Sequence, residues 1–204
     1  MDLMAGNVVA VKHYSMISVF TSIVANVRDQ FIEIELPKEC MGAEFLPGDP
    51  LVVAYENGNT TEIKGGRVVG YKKNEGMLSY TEDVYDEEKI KMRSFARFPV
   101  SLYADYKVLE ESGNKKYFAL VKDISEFGLM VYSTESHFKG LRLHMDIYLT
   151  REILNLTAEV VRKIECDGYY EYGLRIKHNG PTVFSQIKNY VRKSQEELTS
   201  KFSS

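Results

Sequence analysis

The 204-residue chain predicts a mainly β protein: two small antiparallel β-barrels in tandem, followed by one C-terminal α-helix. Three observations carry this. Short runs of β-branched or alternating apolar and polar residues recur through both halves, the pattern of half-buried strands. An acidic run, Glu82–Glu88, separates a net-acidic first half from a net-basic second half. The period changes from strand-like to helical only after Gly180-Pro181.

In the first half, Val8–Val11 and Ser15–Val27 are rich in β-branched residues. Ile32, Ile34 and Leu36 alternate with Glu33 and Glu35, which predicts one buried and one wet face. Pro47-Gly48-Asp49-Pro50 signals a turn before a strand over Leu51–Tyr55. Thr60–Ile63 and Arg67–Tyr71 flank Gly65-Gly66, a pair that suits a bulge or tight bend. No segment here has a helical period. About six strands in roughly 80 residues predict a closed barrel, because closure removes exposed edges.

The acidic run and the basic residues after it read as an interdomain linker, placing domains at 1–88 and 89–204. In the second half, strands are expected at Phe98–Leu109 and Lys116–Ile124, joined by the hairpin loop Glu110–Asn114. Gly128–Ser133 follows. Leu143, Met145, Ile147 and Leu149 then alternate with polar neighbours, as do Leu154, Leu156, Ala158 and Val160. Tyr169–Lys177 completes a second barrel. Val183, Phe184, Ile187, Tyr190 and Val191 fall on one face of a helix, with Pro181 near its start. That face is expected to cap a barrel, with a partner-binding helix as the alternative. The polar tail beyond about Ser194 is expected to fray.

Charge is unevenly placed. Residues 1–88 carry 7 basic and 15 acidic side chains, a net of −8, and residues 89–204 carry 19 and 14, a net of +5. This asymmetry points to an anionic partner for the second half, although two differently charged soluble domains give the same count. Cys40 and Cys166 form no CxxC pair, which fits a reduced cytoplasm better than a disulfide framework. No secretory signal is evident, and the apolar stretch Met16–Val27 is too short and too polar to span a bilayer.

Sets for nucleophilic, phosphate-loop or metalloprotease chemistry are absent from the sequence. His13, His137, His144 and His178 are scattered without metal-ligand spacing, so neither metal nor cofactor is expected. Asp123 and Ser125 lack a base placed by sequence to activate the hydroxyl. An enzyme is therefore not expected.

Arg93 and Arg97 lie four residues apart where the linker gives way to a strand. Extended, four residues span about 13 Å, enough to clamp separate parts of one compact ligand. Arginine suits this because its planar fork bonds phosphate or a guanine edge bidentately and stacks on purines. Surface pairing of these arginines with Glu87 or Glu88 explains the same residues taken alone. Asp123-x-Ser125-x-x-Gly128 adds a second element at the end of a predicted strand. An ionised Asp123 can accept from guanine or hold an arginine, Ser125 can add a neutral contact, and Gly128 permits a positive φ or close ligand approach. An Asx-turn ending the strand accounts for the pattern equally without a ligand.

Together, Arg93-x-x-x-Arg97 and Asp123-x-Ser125-x-x-Gly128 resemble the signature of PilZ domains, bacterial receptors for cyclic di-GMP (c-di-GMP). The resemblance covers about residues 90–192 and includes Tyr172–Ile176, similar to the family's late strand. It implies a six-stranded barrel, with c-di-GMP as ligand rather than cofactor. Arg93 and Arg97 would contact phosphate and guanine, and Asp123, Ser125 and Gly128 would complete the base pocket. Some members carry arginine just before the first motif arginine and take up an intercalated ligand pair. Met92 stands there in this chain. The first half, through Ile32–Pro37 and Leu46–Asp49, is similar to the split-barrel-like domain preceding PilZ in flagellar-brake-type receptors. That likeness implies a motility regulator with a protein partner such as the flagellar motor; the chain itself is expected to be cytoplasmic and monomeric or homodimeric. The expected mechanism is ordering of Lys89–Arg97 by ligand, with a change in interdomain arrangement. Two rival readings are a nucleotide-independent adaptor and a small-barrel RNA binder using Phe95, Phe98 and Tyr103. Aromatics interleaved with lysine are not evident elsewhere for the latter.

Overall fold

The computed structural model describes residues 3–28, 30–40, 42–83, 95–111, 115–177 and 181–202. Met92, Arg93, His178 and most of the acidic run lie outside these residues.

The described strands form two closed six-stranded barrels with every neighbouring pair antiparallel, as the sequence predicts. The first contains β1 (Val8–His13), β2 (Phe20–Arg28), β3 (Phe31–Glu35), β4 (Pro50–Asn57), β5 (Thr60–Lys72) and β6 (Met77–Glu82), closed in the order β1-β2-β3-β6-β5-β4. Ile32 and Ile34 enter its core with Val9, Val11, Val53 and Leu78, all buried. The alternation in β3 thus has the expected sense.

Two strand boundaries differ from expectation, each for a local reason, and one strand is additional. β2 starts at Phe20 rather than near Ser15. The Met16 N–H donates to the His13 carbonyl at 3.0 Å, and Ser15 Oγ bonds His13 Nδ1 at 2.8 Å, so a turn competes with the ladder there. Thr60–Ile63 and Arg67–Tyr71 are one strand, β5, running through the glycine pair. A Cβ on Gly66 would come within 2.8 Å of the Thr81 carbonyl oxygen, so glycine lets β6 approach, while the bulge falls between Val68 and Gly70. β6, which supplies the sixth strand, was not singled out by the sequence pattern. The Leu46–Asp49 motif is a turn: Leu46 N–H donates to Asp49 Oδ2 at 2.9 Å, and Gly48 takes φ 95°.

The second barrel contains β7 (Phe98–Val108), β8 (Tyr117–Ile124), β9 (Gly128–Ser133), β10 (Arg142–Tyr148), β11 (Ile153–Cys166) and β12 (Tyr169–Lys177). Its closure, β7-β8-β9-β12-β11-β10, repeats the connectivity of the first. The ladders also shift register at matching steps: β2/β3 with β8/β9, and β5/β6 with β11/β12. The β7/β8 ladder adds a shift between Pro99 and Leu102 with no counterpart in β1/β2.

One α-helix occurs among the described residues, α1 (Pro181–Thr199). It runs past Ser194 instead of fraying, because Ser194 and Leu198 continue the buried stripe begun by Ile187 and Tyr190. The chain divides into two compact units, Met1–Lys89 with Ser194–Ser204, and Ile90–Lys193. Within the first unit, the Glu197 carboxylate accepts from Lys12 Nζ at 2.7 Å and from the Val19 N–H at 3.1 Å. No described helix is long and apolar enough to cross a membrane.

Candidate functional site

The second barrel brings together the two motif segments that lie 26 residues apart in sequence. Arg97 immediately precedes β7, and Asp123 lies near the end of β8, where Pro99 is its register partner. Two bulges meet at this point: Val100 and Ser101 on β7 oppose Lys122, and Lys122 is the extra residue against β9. Bulges bend a strand and re-aim its side chains, and these two come directly before Asp123. Asp123 is 1% exposed. Arg97 Nη1 donates to both its oxygens, at 3.1 and 3.3 Å. Of the sequence's two roles for this carboxylate, holding an arginine is realised in the geometry. The Arg97 side chain stays 26% exposed, and among the described residues its Nε and Nη2 donors take no part in the ion pair.

Ser125 is buried and shapes the β8–β9 turn. Its Oγ accepts from the Gly128 N–H at 3.1 Å and donates to the Gly128 carbonyl at 3.2 Å, while its own N–H donates to the same carbonyl at 2.8 Å. The turn thus uses serine in the manner of an Asx- or ST-turn, one of the readings the sequence left open. Gly128 is not among the glycines with positive φ. A Cβ there would lie 2.8 Å from the Leu174 carbonyl oxygen of β12. Glycine is needed for backbone approach between strands, which corrects the positive-φ option. Tyr172–Ile176 supplies that facing backbone, and the Ile176 N–H reaches back to the Phe127 carbonyl at 2.9 Å.

The structure therefore gathers Arg97, Asp123, Ser125 and Gly128 in one place; Arg93 lies outside the described residues. Two neighbours escaped sequence reasoning as parts of this site. Phe95 and Phe127, variable positions of the two motifs, meet with ring centroids 4.0 Å apart and planes 38° apart. Nothing in their spacing signals the contact, since each is a single apolar residue in a polar loop. Among the described residues no group of three or more His, Cys, Asp or Glu could hold a metal ion.

The second barrel matches the PilZ domain family model over residues 91–193. A search of curated proteins found no match. Among solved structures, the chain is similar to Bacillus subtilis inhibitor of motility MotI/DgrA: 15% identity, 96% of this chain and 98% of that one, TM-score 0.44. It is likewise similar to Escherichia coli YcgR in complex with c-di-GMP: 10% identity, 97% and 88%, TM-score 0.46. A third is the K. pneumonia MrkH–c-di-GMP complex: 11% identity, 96% and 90%, TM-score 0.42. With the family model spanning half its length, over a barrel of six antiparallel strands, the chain belongs to the PilZ domain family.

Proposed function

We propose that the chain is a non-enzymatic cytoplasmic receptor for c-di-GMP. Arg93 and Arg97 take the ligand's phosphate and guanine groups, and Asp123, Ser125 and Gly128 shape the base pocket. The observation that carries the reading is the Arg97–Asp123 pair. A buried carboxylate already holds the guanidinium across the two motif segments, with donors to spare. A positioned fork gives up less side-chain freedom on binding than a free one, so more of its charge-assisted bonding appears as affinity.

Binding draws the arginine segment, which joins the two halves in sequence, onto the second barrel. That event changes what the chain offers a protein partner and regulates motility or surface behaviour. Such a switch needs the ligand to favour one of two arrangements, which the dianionic ring does by neutralising the basic segment. Isothermal titration of the full chain with c-di-GMP tests this. Unaltered protein is expected to bind saturably. Arg97→Ala is expected to lose most of the affinity, and Arg97→Lys to recover little, because charge without the fork cannot bond bidentately. Equal affinity in the unaltered protein and Arg97→Ala would show the site to be elsewhere.

A further inference from the structure

Phe95 and Phe127 are 46% and 40% exposed, yet their rings are in close contact at 4.0 Å. Scattered exposed phenylalanines need no explanation. These two are unusual in position, because one comes from each motif segment. Phe95 is two residues before Arg97, and Phe127 sits between Ser125 and Gly128 in the turn those residues close. The Phe127 backbone is pinned on both sides, its N–H toward Ser125 Oγ at 3.4 Å and its carbonyl accepting from Ile176 at 2.9 Å. A hydrogen-bonded turn therefore presents a half-open aromatic surface built from the same two segments that carry Arg97 and the buried Asp123.

We propose that Phe95 and Phe127 form an aromatic shelf on which one purine base of the ligand stacks, a subsite additional to the motif residues. The shelf rests on the receptor reading above and names the group it takes: a planar, uncharged base rather than phosphate. Each ring keeps exposed area after pairing, so a base can extend the stack. Arg97, two residues after Phe95 in the chain, is a cation of the kind that bonds a purine edge or stacks on its face. A plain hydrophobic latch, in which the two rings only clip the arginine segment to the turn, is the competing account. The two differ in chemistry: a latch needs apolar bulk, whereas a shelf needs a π-face.

The sequence contains no tryptophan, so Phe127→Trp installs a single tryptophan at the shelf, excited selectively over the 14 tyrosines. The full chain and its Phe127→Trp, Phe127→Leu and Phe127→Ala variants are titrated with c-di-GMP by calorimetry, and Phe127→Trp also by emission. Thermal unfolding without ligand confirms that each variant folds, and Phe95→Leu repeats the comparison should a Phe127 variant not fold. The expected result is that Leu and Ala weaken binding by roughly 5- to 100-fold, the range for one lost base–aromatic stack. Trp is expected to bind like the unaltered protein, with emission quenched in proportion to saturation. Leucine binding within about 2-fold of the unaltered protein, or emission unchanged at saturation, overturns the shelf and leaves the receptor intact. Failure of the unaltered protein to bind overturns the receptor reading, and the shelf with it.

Discussion

Gly128 and Asp123 show how much a single position can depend on the strand opposite. Both sit in a motif readable along the chain, but their work is set across the ladder. Gly128 is glycine because the Leu174 carbonyl leaves 2.8 Å for a Cβ, and that obstacle is backbone, unable to swing aside. Gly128→Ala is therefore expected to destabilise the second barrel by about 1–3 kcal/mol, the usual range for forced overpacking. Thermal unfolding measures it. An unchanged midpoint would mean that β9 and β12 separate freely. Asp123 was legible as a carboxylate beside a turn, but which arginine it would hold was not. The double bulge around Lys122 governs where it points, and bulges leave no reliable trace in alternation. Phe95 and Phe127 lie further from sequence reach: their contact requires two loops to close on one another.

At the scale of elements, α1 is the instructive case. Its first three turns were legible from apolar spacing, whereas its last were not, because Ser194 is polar and Leu198 stands almost alone among charged residues. Burial decides the matter: Leu198 is fully buried, and Glu197 is tied to Lys12 and to the Val19 N–H within the first unit. Burial alone would raise the Glu197 carboxyl, but the bond from Lys12 and the Val19 N–H outweigh it and hold it below its ordinary 4.5. A carboxyl depressed in the folded state adds stability above its unfolded value and loses it as pH falls through the folded one. The last turn of α1 is therefore expected to lose protection from hydrogen exchange as pH drops below about 4.5, once intrinsic exchange rates are corrected for. Glu197→Gln is expected to show weaker protection at neutral pH and a flatter pH profile. An identical profile in both proteins would show that the carboxylate does not anchor the helix.

For the whole molecule, the two barrels share a connectivity and two register shifts, yet only the second carries the motif residues. The first barrel's corresponding turn, between Arg28 and Phe31, has no Asp-x-Ser-x-x-Gly pattern. The same scaffold thus occurs with and without the motif, so the proposed function follows from residues on the turns and not from the connectivity. A ligand that binds only the folded chain stabilises it by mass action, about 2.7 kcal/mol at one hundred times the dissociation constant. Saturating c-di-GMP is accordingly expected to raise the unfolding midpoint of the unaltered chain and to leave that of Arg97→Ala unmoved. A rise of equal size in both would place binding away from Arg97.

Strand content, the two barrels, the final helix and four described motif residues were all determined by the sequence, because they rest on local pattern: alternation, turn chemistry, charge and short spacing. Only the tertiary structure decided the merger of β5, the sixth strand of the first barrel, the reach of α1, the reason for Gly128 and the meeting of Phe95 with Phe127. Each of these depends on what lies across a ladder or beyond a loop. The chain's local periodicity cannot encode that distance, since antiparallel closure pairs residues far apart in sequence.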